Sequence, residues 1–457
     1  MKKKDIITVK IDGVRFPNKA YGFVDGEKVI VKNGVPGQIV SAQVIKKRGG
    51  NVEARLLEVT ERSELERQEG CCSHYEICGG CTYQTMKRQA ELDMKEQQVK
   101  TLLEDAGIHV ESWEGITPSP LETGYRNKCE FSFGDEVKDG PLALGMRKKM
   151  SHYEVVTLKD CNIVDVDFVT IVQGALAFFQ ERNVAFYHRM RHDGFLRHLV
   201  VRKGKATGEI LVHLVTTSDV PFSMEEFKNM ILALPLQGEI CGVLHSVNDG
   251  VADVVRSDEM TVLYGRDFFM EKLFDLEFKV SAYSFFQTNT EGAEKLYSIV
   301  REFAGDVENK MVFDLYCGTG TIGQIMARAG SKKVMGIELV EEAVVAANEN
   351  AARNGLTNCT FLAGDVLKMV DELTDKPDVI IVDPPREGIH PKAIGKIIDF
   401  GAPEIVYVSC KPTSLARDLQ EFQAAGYEVK RVRLMDMFPR TVHVESVVLM
   451  TRCGTQA

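Results

Sequence analysis

From about Gln287 onward, short apolar runs alternate with amphipathic stretches, and this alternation constrains the fold more than any other feature. The runs are MVFDL, VMGIEL, CTFLAG, DVIIVD, EIVYVS and VVLM, separated by segments such as EEAVVAANENAARNG and TSLARDLQEFQAAG. A strand that is apolar along its whole length must be buried on both faces, and crossover helices supply that cover. The expectation for residues 286–457 is therefore an α/β unit with a parallel, Rossmann-like sheet. Ligands in such sheets sit at the carboxyl ends of the strands.

Upstream the pattern changes twice. Residues 1–60 hold short alternating runs (VRF, YGFVDGEKVIV, QIVSAQVIKK, NVEARLLEV) broken by Gly, Asn and Pro turns. Several short strands without a helix predict a small OB-like β-barrel. Residues 61–285 begin with charges and a cysteine cluster, then a polar helix from about Met86 to Asp105. They continue with period-two runs and one helical stretch near 165–182, which predicts a central α+β unit. Three units suit the length of 457 residues.

Net charge is −10, which by itself disfavours a polyanionic partner. The charge is unevenly spread, however. Residues 1–60 carry 9 Lys and 3 Arg against 6 acidic residues, and Tyr187–Lys205 carries 6 Lys and Arg against Asp193 alone. Local basic patches govern nucleic-acid binding more than the total does, although a solvated face would look the same. No apolar run approaches the roughly 18 residues of a membrane span, and the basic start lacks a signal-peptide core. A cytoplasmic protein without membrane contact is expected, and a monomer, since nothing demands a second copy.

Asp314-Leu-Tyr-Cys-Gly-Thr-Gly320 follows the first strand of the C-terminal unit and leads into a helix. Gly318 and Gly320 allow close backbone approach to a ligand, and Glu338, at the end of the next strand, is placed to bond ribose hydroxyls. The loop lacks the full dinucleotide glycine pattern and the Lys-Ser/Thr of a P-loop. It resembles a class I methyltransferase nucleotide site, which would put Asp365, after the third strand, near the adenine. Asp383-Pro-Pro-Arg386 follows the fourth strand and Ser409-Cys410-Lys411-Pro412 the fifth. A lone cysteine after a strand is ordinarily a small buried hydrophobe. With Asp383 on the same rim and Glu445 at the start of the last strand, Cys410 reads as a nucleophile and Glu445 as a base. Lys411 or the adjacent helix start would lower a thiol pKa from its usual value of about 8.5.

Eleven cysteines in such a compartment imply free thiols or metal ligands rather than disulfides. Cys72, Cys78 and Cys81 are closely spaced around Gly79 and Gly80, with Cys161 as a fourth ligand. Cys71 leaves the first ligand ambiguous, and the longer spacing favours Cys72. Spacing alone leaves zinc and iron–sulfur open, with zinc slightly ahead.

Together DLYCGTG, DPPR, SCKPTSLARDL and FPRTVHVES resemble the RNA uridine-C5 methyltransferase family, in particular the RumA-type branch acting on 23S ribosomal RNA. The likeness runs along nearly the whole chain, with Tyr125-Arg126-Asn127-Lys128 matching a motif of the family's central domain and residues 1–60 its TRAM RNA-binding barrel. The resemblance implies S-adenosylmethionine as methyl donor, contacted by Gln287, Tyr316, Glu338 and Asp383, with Asp365 in support. It implies Cys410 as covalent nucleophile, Glu445 as the base, and [4Fe–4S] on Cys72, Cys78, Cys81 and Cys161. Thr321, where some members have Asn, departs from the pattern. The rival readings are a transfer-RNA uridine methyltransferase, an RNA cytosine-C5 enzyme and a non-catalytic RNA-binding iron–sulfur protein. DNA cytosine enzymes carry Pro-Cys after the fourth strand, where this chain has Asp383-Pro-Pro, so DNA is not an expected substrate.

Overall fold

The computed structural model describes residues 1–67, 72–151, 153–218, 220–252, 254–255, 259–369, 373 and 375–454. Alternation in the first sixty residues gives six strands, β1 (Ile6–Lys10), β2 (Gly13–Arg15), β3 (Lys19–Val24), β4 (Glu27–Lys32), β5 (Ile39–Arg48) and β6 (Asn51–Glu61). Period two turns Val9, Val29, Val31, Val40, Val44 and Val52 inward to a core of their own. The sheet runs β1-β5-β6-β4-β3-β2, and β1 also meets β3 across the roll. A Cβ on Gly22 would sit 2.0 Å from the Lys10 carbonyl oxygen, so only glycine allows that closure. This is the small barrel expected from the sequence.

Helix α1 (Arg88–Asp105) and β7 (Val110–Pro118) follow. The central sheet comprises β8 (Lys128–Asp135), β9 (Leu142–Arg147), β10 (Val155–Thr157), β11 (Leu196–Lys203), β12 (Glu209–Thr216), β13 (Glu239–Val247) and β14 (Glu259–Gly265). One face is covered by α2 (Val166–Glu181) and α3 (Met224–Leu232), through Phe168, Phe179 and Phe227. The basic window 187–205 is only partly a surface here. Arg197, Arg202 and Lys203 are buried. Lys203 pairs with Asp165 and Asp167 at 2.9 and 2.7 Å, and Arg202 donates to the carbonyls of Ser281, Ala282 and Ser284. These cations are internal anchors, because a buried charge persists only where its donors are satisfied.

A hairpin, β15 (Phe268–Leu273) and β16 (Leu276–Ser281), leads to α4 (Thr290–Ala304) and the C-terminal sheet. Its elements are β17 (Met311–Leu315), α5 (Thr321–Arg328), β18 (Lys333–Glu338), α6 (Glu341–Arg353), β19 (Cys359–Ala363), α7 (Val366–Met369), β20 (Val379–Val382), α8 (Pro391–Asp399), β21 (Glu404–Ser409), α9 (Pro412–Ala424), β22 (Tyr427–Asp436) and β23 (Glu445–Arg452). The order is β19-β18-β17-β20-β21-β23-β22-β7. The first five strands are parallel, and β23 lies antiparallel between β21 and β22. Separate apolar cores cover the two faces. Periodicity alone assigns residues 88–118 to the central segment. Instead β7 pairs in parallel with β22, so this stretch extends the C-terminal sheet before the central sheet begins. Among the described residues no helix is long and apolar enough to cross a membrane.

Helix α1 also bolts down the loop that precedes β23. Glu91 and Lys95, one turn apart on one helix face, are both buried. Lys95 Nζ donates to Glu91 Oε1 at 2.9 Å and to Asp436 Oδ1 at 2.7 Å, and Arg88 pairs with Asp436. Arg440, itself buried, donates its backbone N–H to Glu91 Oε1 at 2.7 Å and its guanidinium to Glu91 and Glu122. Removing one partner from a buried ion cluster strands the others without water. Lys95→Met should therefore cost about 3–5 kcal/mol of unfolding free energy in urea, and a loss under about 1 kcal/mol would show the cluster to be solvated or redundant.

Candidate active site

The first half of the site lies where β17 ends. Asp314 is fully buried; its Oδ2 accepts the Gly323 N–H at 2.7 Å, and its Oδ1 has no partner. Burial, with Asp383 and Glu338 nearby, pushes its carboxyl up to about 8. The turn that follows puts Tyr316, Gly318 and Gly320 at positive φ. At Gly320 a Cβ would meet the Phe361 ring at 2.6 Å, so glycine is required there. Glu338, at the end of β18, accepts the N–H groups of Gly318 and Val340, each at 3.0 Å. Part of its capacity thus shapes the turn, and each oxygen keeps a further lone pair. Asp365 caps α7 by accepting the Leu367 N–H at 3.0 Å, and its charge acts on the Tyr316 phenol.

Gln287 reaches the same rim from the other side. Its carbonyl accepts Asn127 Nδ2 at 3.2 Å, and its side chain bonds the buried phenol of Tyr297 on α4. Tyr297 in turn feels the charges of Asp383, Asp314 and Glu445, and burial holds its hydroxyl protonated. The Tyr125-Arg126-Asn127-Lys128 motif is a bracket for two loops. Asn127 also donates to Thr290 Oγ1 at 2.7 Å, and Tyr125 Oη donates to the Pro439 carbonyl at 2.9 Å.

The second half follows from strand register. Ser409, last in β21, lies opposite Ser446 of β23, so Cys410 and Glu445 leave neighbouring antiparallel strands at one edge. Asp383 follows β20, whose Val382 pairs with Tyr407 of β21. Cys410 is pushed up to about 11 by burial and by Glu445 and Asp383, with Arg386 opposing. Glu445 is pushed up to about 8 by burial and Asp383, again with Arg386 opposing. Burial raises Asp383 to about 7. The sequence pointed to Lys411, or the adjacent helix start, as lowering the thiol, whereas burial and the two carboxyls raise it. Lys411 is exposed, and the cation acting on Cys410 is Arg386, two residues beyond Pro384 on another strand's loop. Sequence reasoning also missed Tyr297, because a tyrosine on an amphipathic helix reads as core.

Cys72, Cys78, Cys81 and Cys161 form the second predicted site, and each thiol is raised by burial. The four act on one another electrostatically, which makes them neighbours in space. Their sulfurs accept hydrogen bonds: Cys72 from the His74 N–H at 3.4 Å, Cys78 from the Gly80 N–H at 3.3 Å, and Cys81 from Gln84 Nε2 at 3.5 Å. Backbone N–H groups of Ile163 and Val164 serve Cys161. Among the described residues no three His, Cys, Asp or Glu side chains are grouped to hold a single metal ion. Cys71 lies outside the described residues.

A doubly wound sheet with its seventh strand inserted antiparallel, and an acid beside a glycine turn at its carboxyl edge, defines a class I methyltransferase domain. The chain belongs to the tRNA (uracil-5-)-methyltransferase family, which it matches over residues 87–453. It is 48% identical over 452 residues to a Clostridium acetobutylicum protein named an uncharacterized RNA methyltransferase, covering 99% of each chain. A similarly named protein of Caldanaerobacter subterraneus is 47% identical over 99% of this chain and 100% of its own. Among solved structures, the Pyrococcus abyssi tRNA (uracil-54, C5)-methyltransferase in complex with S-adenosyl-L-homocysteine matches with a TM-score of 0.77 and 26% identity. That match covers 96% of this chain and 99% of the archaeal one. The protein is an S-adenosylmethionine-dependent RNA methyltransferase.

The raised carboxyls carry a consequence for stability. Between the ordinary value of 4.5 and about 8, folded Glu445 holds a proton that the unfolded chain has released. Stability therefore falls as pH rises through that window. Glu445→Gln should flatten the decline in unfolding free energy between about pH 5 and about pH 8; an unchanged slope would mean Glu445 is ionised throughout.

Proposed function

We propose that this protein methylates carbon 5 of a uridine in folded 23S ribosomal RNA through a covalent adduct with Cys410. The observation that carries the reading is the convergence of Cys410, Glu445 and Asp383 at one sheet edge, beside the Asp314–Glu338 turn. Carbon 5 of uracil is a poor nucleophile. The Cys410 sulfur, once its thiol proton has passed to solvent, adds its electron pair to carbon 6, and the carbon 5–carbon 6 π pair moves out to give an enolate. When bound, S-adenosylmethionine would supply an electrophilic methyl: carbon 5 would bond to it as the sulfonium–methyl bond breaks, with S-adenosylhomocysteine as the leaving group. Glu445 then takes the carbon-5 proton, the double bond re-forms and the thiolate leaves. A base whose pKa lies near the working pH suits this step, and the raised Glu445 meets that condition. Asp383 orients the uracil.

Gln287, Tyr316, Glu338, Asp365 and Asp383 are the residues we assign to the methyl donor. The unpartnered, buried Asp314 Oδ1 and the carboxyl-lined turn suit a ligand that carries positive charge. Cys72, Cys78, Cys81 and Cys161 hold a [4Fe–4S] cluster in this reading, in preference to zinc. Donated hydrogen bonds stabilise thiolate sulfur in such sites. Four thiols alone would suit zinc as well, and it is the likeness of these four positions to the family's cluster cysteines that favours iron–sulfur. Residues 1–60 act as a TRAM-type RNA-binding barrel, with exposed Phe23 packed edge-on against Tyr21, and Lys28 4.5 Å from the Tyr21 ring centre. A second reading, transfer RNA as substrate, is favoured by the archaeal tRNA enzyme, which spans nearly the whole chain, barrel included.

Cys410→Ala should abolish both 5-methyluridine and any protein–RNA adduct; residual methylation would remove the covalent route. Glu445→Gln should slow turnover by about 10²- to 10⁴-fold and leave an RNA adduct visible on a denaturing gel. Mapping 5-methyluridine in ribosomal and transfer RNA, with and without the protein, decides between the two substrates. Protein purified without oxygen should be brown and contain iron, and a colourless zinc protein would refute the cluster.

A further inference from the structure

Helix α9 begins at Pro412, two residues after Cys410, and one of its faces is turned toward the loop that carries Arg386. Ser414 and Asp418 lie one turn apart on that face. Ser414 Oγ donates to the Arg386 carbonyl at 2.7 Å. Asp418 is fully buried. Its Oδ2 accepts the Ile389 N–H at 2.8 Å and the Tyr407 hydroxyl at 2.7 Å. Its Oδ1 accepts Arg417 Nε and Nη2 at 2.9 and 2.6 Å, and Arg417 Nη2 also donates to the Glu387 carbonyl at 2.8 Å. Every residue from Arg386 to Ile389 is thus gripped or in contact. Gly388, at φ +80°, passes so near that a Cβ would lie 2.5 Å from Asp418 Oδ2.

A carboxylate without water is costly unless charge and hydrogen bonds compensate it. So complete a clamp on a surface loop calls for a reason beyond capping a helix. The reason lies at the loop's other end. The groups acting on Cys410 are Glu445, Asp383 and Arg386, and those acting on Glu445 are Asp383 and Arg386. Tyr297, from α4, faces Asp383 and Glu445. Arg386 is the cation in both sets, and its side chain is exposed, so burial does not fix where it points.

We propose that Ser414 and Asp418 are positioning residues that hold the Arg386 loop so that its guanidinium stands by Cys410 and Glu445 and favours their charged forms. The helix that follows the proposed nucleophile therefore also holds the cation that opposes the rise in its thiol pKa. This rests on Cys410 being the nucleophile, but its test does not depend on that reading. The rate at which iodoacetamide alkylates Cys410 is followed by mass spectrometry of its peptide, across pH, on the full chain without RNA. Loss of the guanidinium's influence should raise the pH at which Cys410 becomes reactive and lower the rate near neutrality. Arg386→Gln, Asp418→Asn and Ser414→Ala should all move the profile upward, and Arg386→Lys should largely keep it. Combining Arg386→Gln with Asp418→Asn should add little to either alone, since both act through one guanidinium.

A purely structural role would lower thermal stability and leave the pH profile where it is. The proposal is overturned if Arg386→Gln shifts the profile while Ser414→Ala and Asp418→Asn do not, or if Arg386→Gln itself leaves it unmoved. Ser414→Ala keeps the test open should Asp418→Asn fail to fold. Failure of the nucleophile reading shows separately, as methylation by Cys410→Ala.

Discussion

Four buried charged side chains and the half-buried Arg88, set between α1 and the loop before β23, are the constraint on which the rest of the candidate site's edge depends. Arg88, Glu91, Lys95, Asp436 and Arg440 bring together residues some 340 positions apart in sequence. Hydrophobic contact alone leaves a loop free to slide, because apolar packing has little direction. Ion pairs made without water tolerate few alternatives, since any other arrangement leaves a charge unpaired. The loop from Asp436 to Val444 therefore enters β23 at one register, and Glu445 falls at the edge opposite Cys410. A helix that precedes the central sheet in the chain thus sets the geometry of a site built by the last strand.

The cysteine loop is tied to the same point. The N–H groups of Thr82 and Tyr83, next to Cys81, donate to the Arg440 carbonyl at 2.9 and 3.0 Å, and Tyr125 bonds the Pro439 carbonyl. Tyr125 belongs to the bracket that also holds the Gln287 loop through Asn127. Three sequence-distant segments thus converge on Pro439-Arg440. The proposed cluster site and the proposed base are two ends of one braced loop, which gives the cysteines a structural purpose without any redox chemistry.

Much of this was legible in the sequence, for identifiable reasons. All six apolar runs became strands of the C-terminal sheet, because strands buried on both faces must be apolar throughout. The glycine turn and the rim positions of Asp383, Cys410 and Glu445 followed from where those strands end. β22 escaped because YEVKRVRLMD breaks its apolar run with Lys430, Arg431 and Arg433. The two arginines are satisfied by Glu114 of β7 and Glu302 of α4, partners that no local pattern reveals. Arg197, Arg202 and Lys203 looked like an RNA-facing patch for the same reason: a cation's burial depends on carbonyls and carboxylates far off in sequence. Lys411 was the nearest cation to Cys410 along the chain, and Arg386 the nearest in effect.

That difference bears on how the proposed reacting centre would work. A lysine beside the proposed nucleophile would act by sequence adjacency, whatever the neighbouring loop did. Arg386 comes instead from the β20 loop, which α9 grips at residues 386–389, so under the proposed reading the thiol's surroundings and that packing go together. Around it, Asp314, Asp383 and Glu445 are all raised by burial, and the resting edge therefore keeps protons rather than charge. In the proposed reaction such carboxyls, placed by strand register, would take on charge opposite a cationic donor without rearrangement. The contacts at Asp436–Arg440 fix where β23, and with it Glu445, begins.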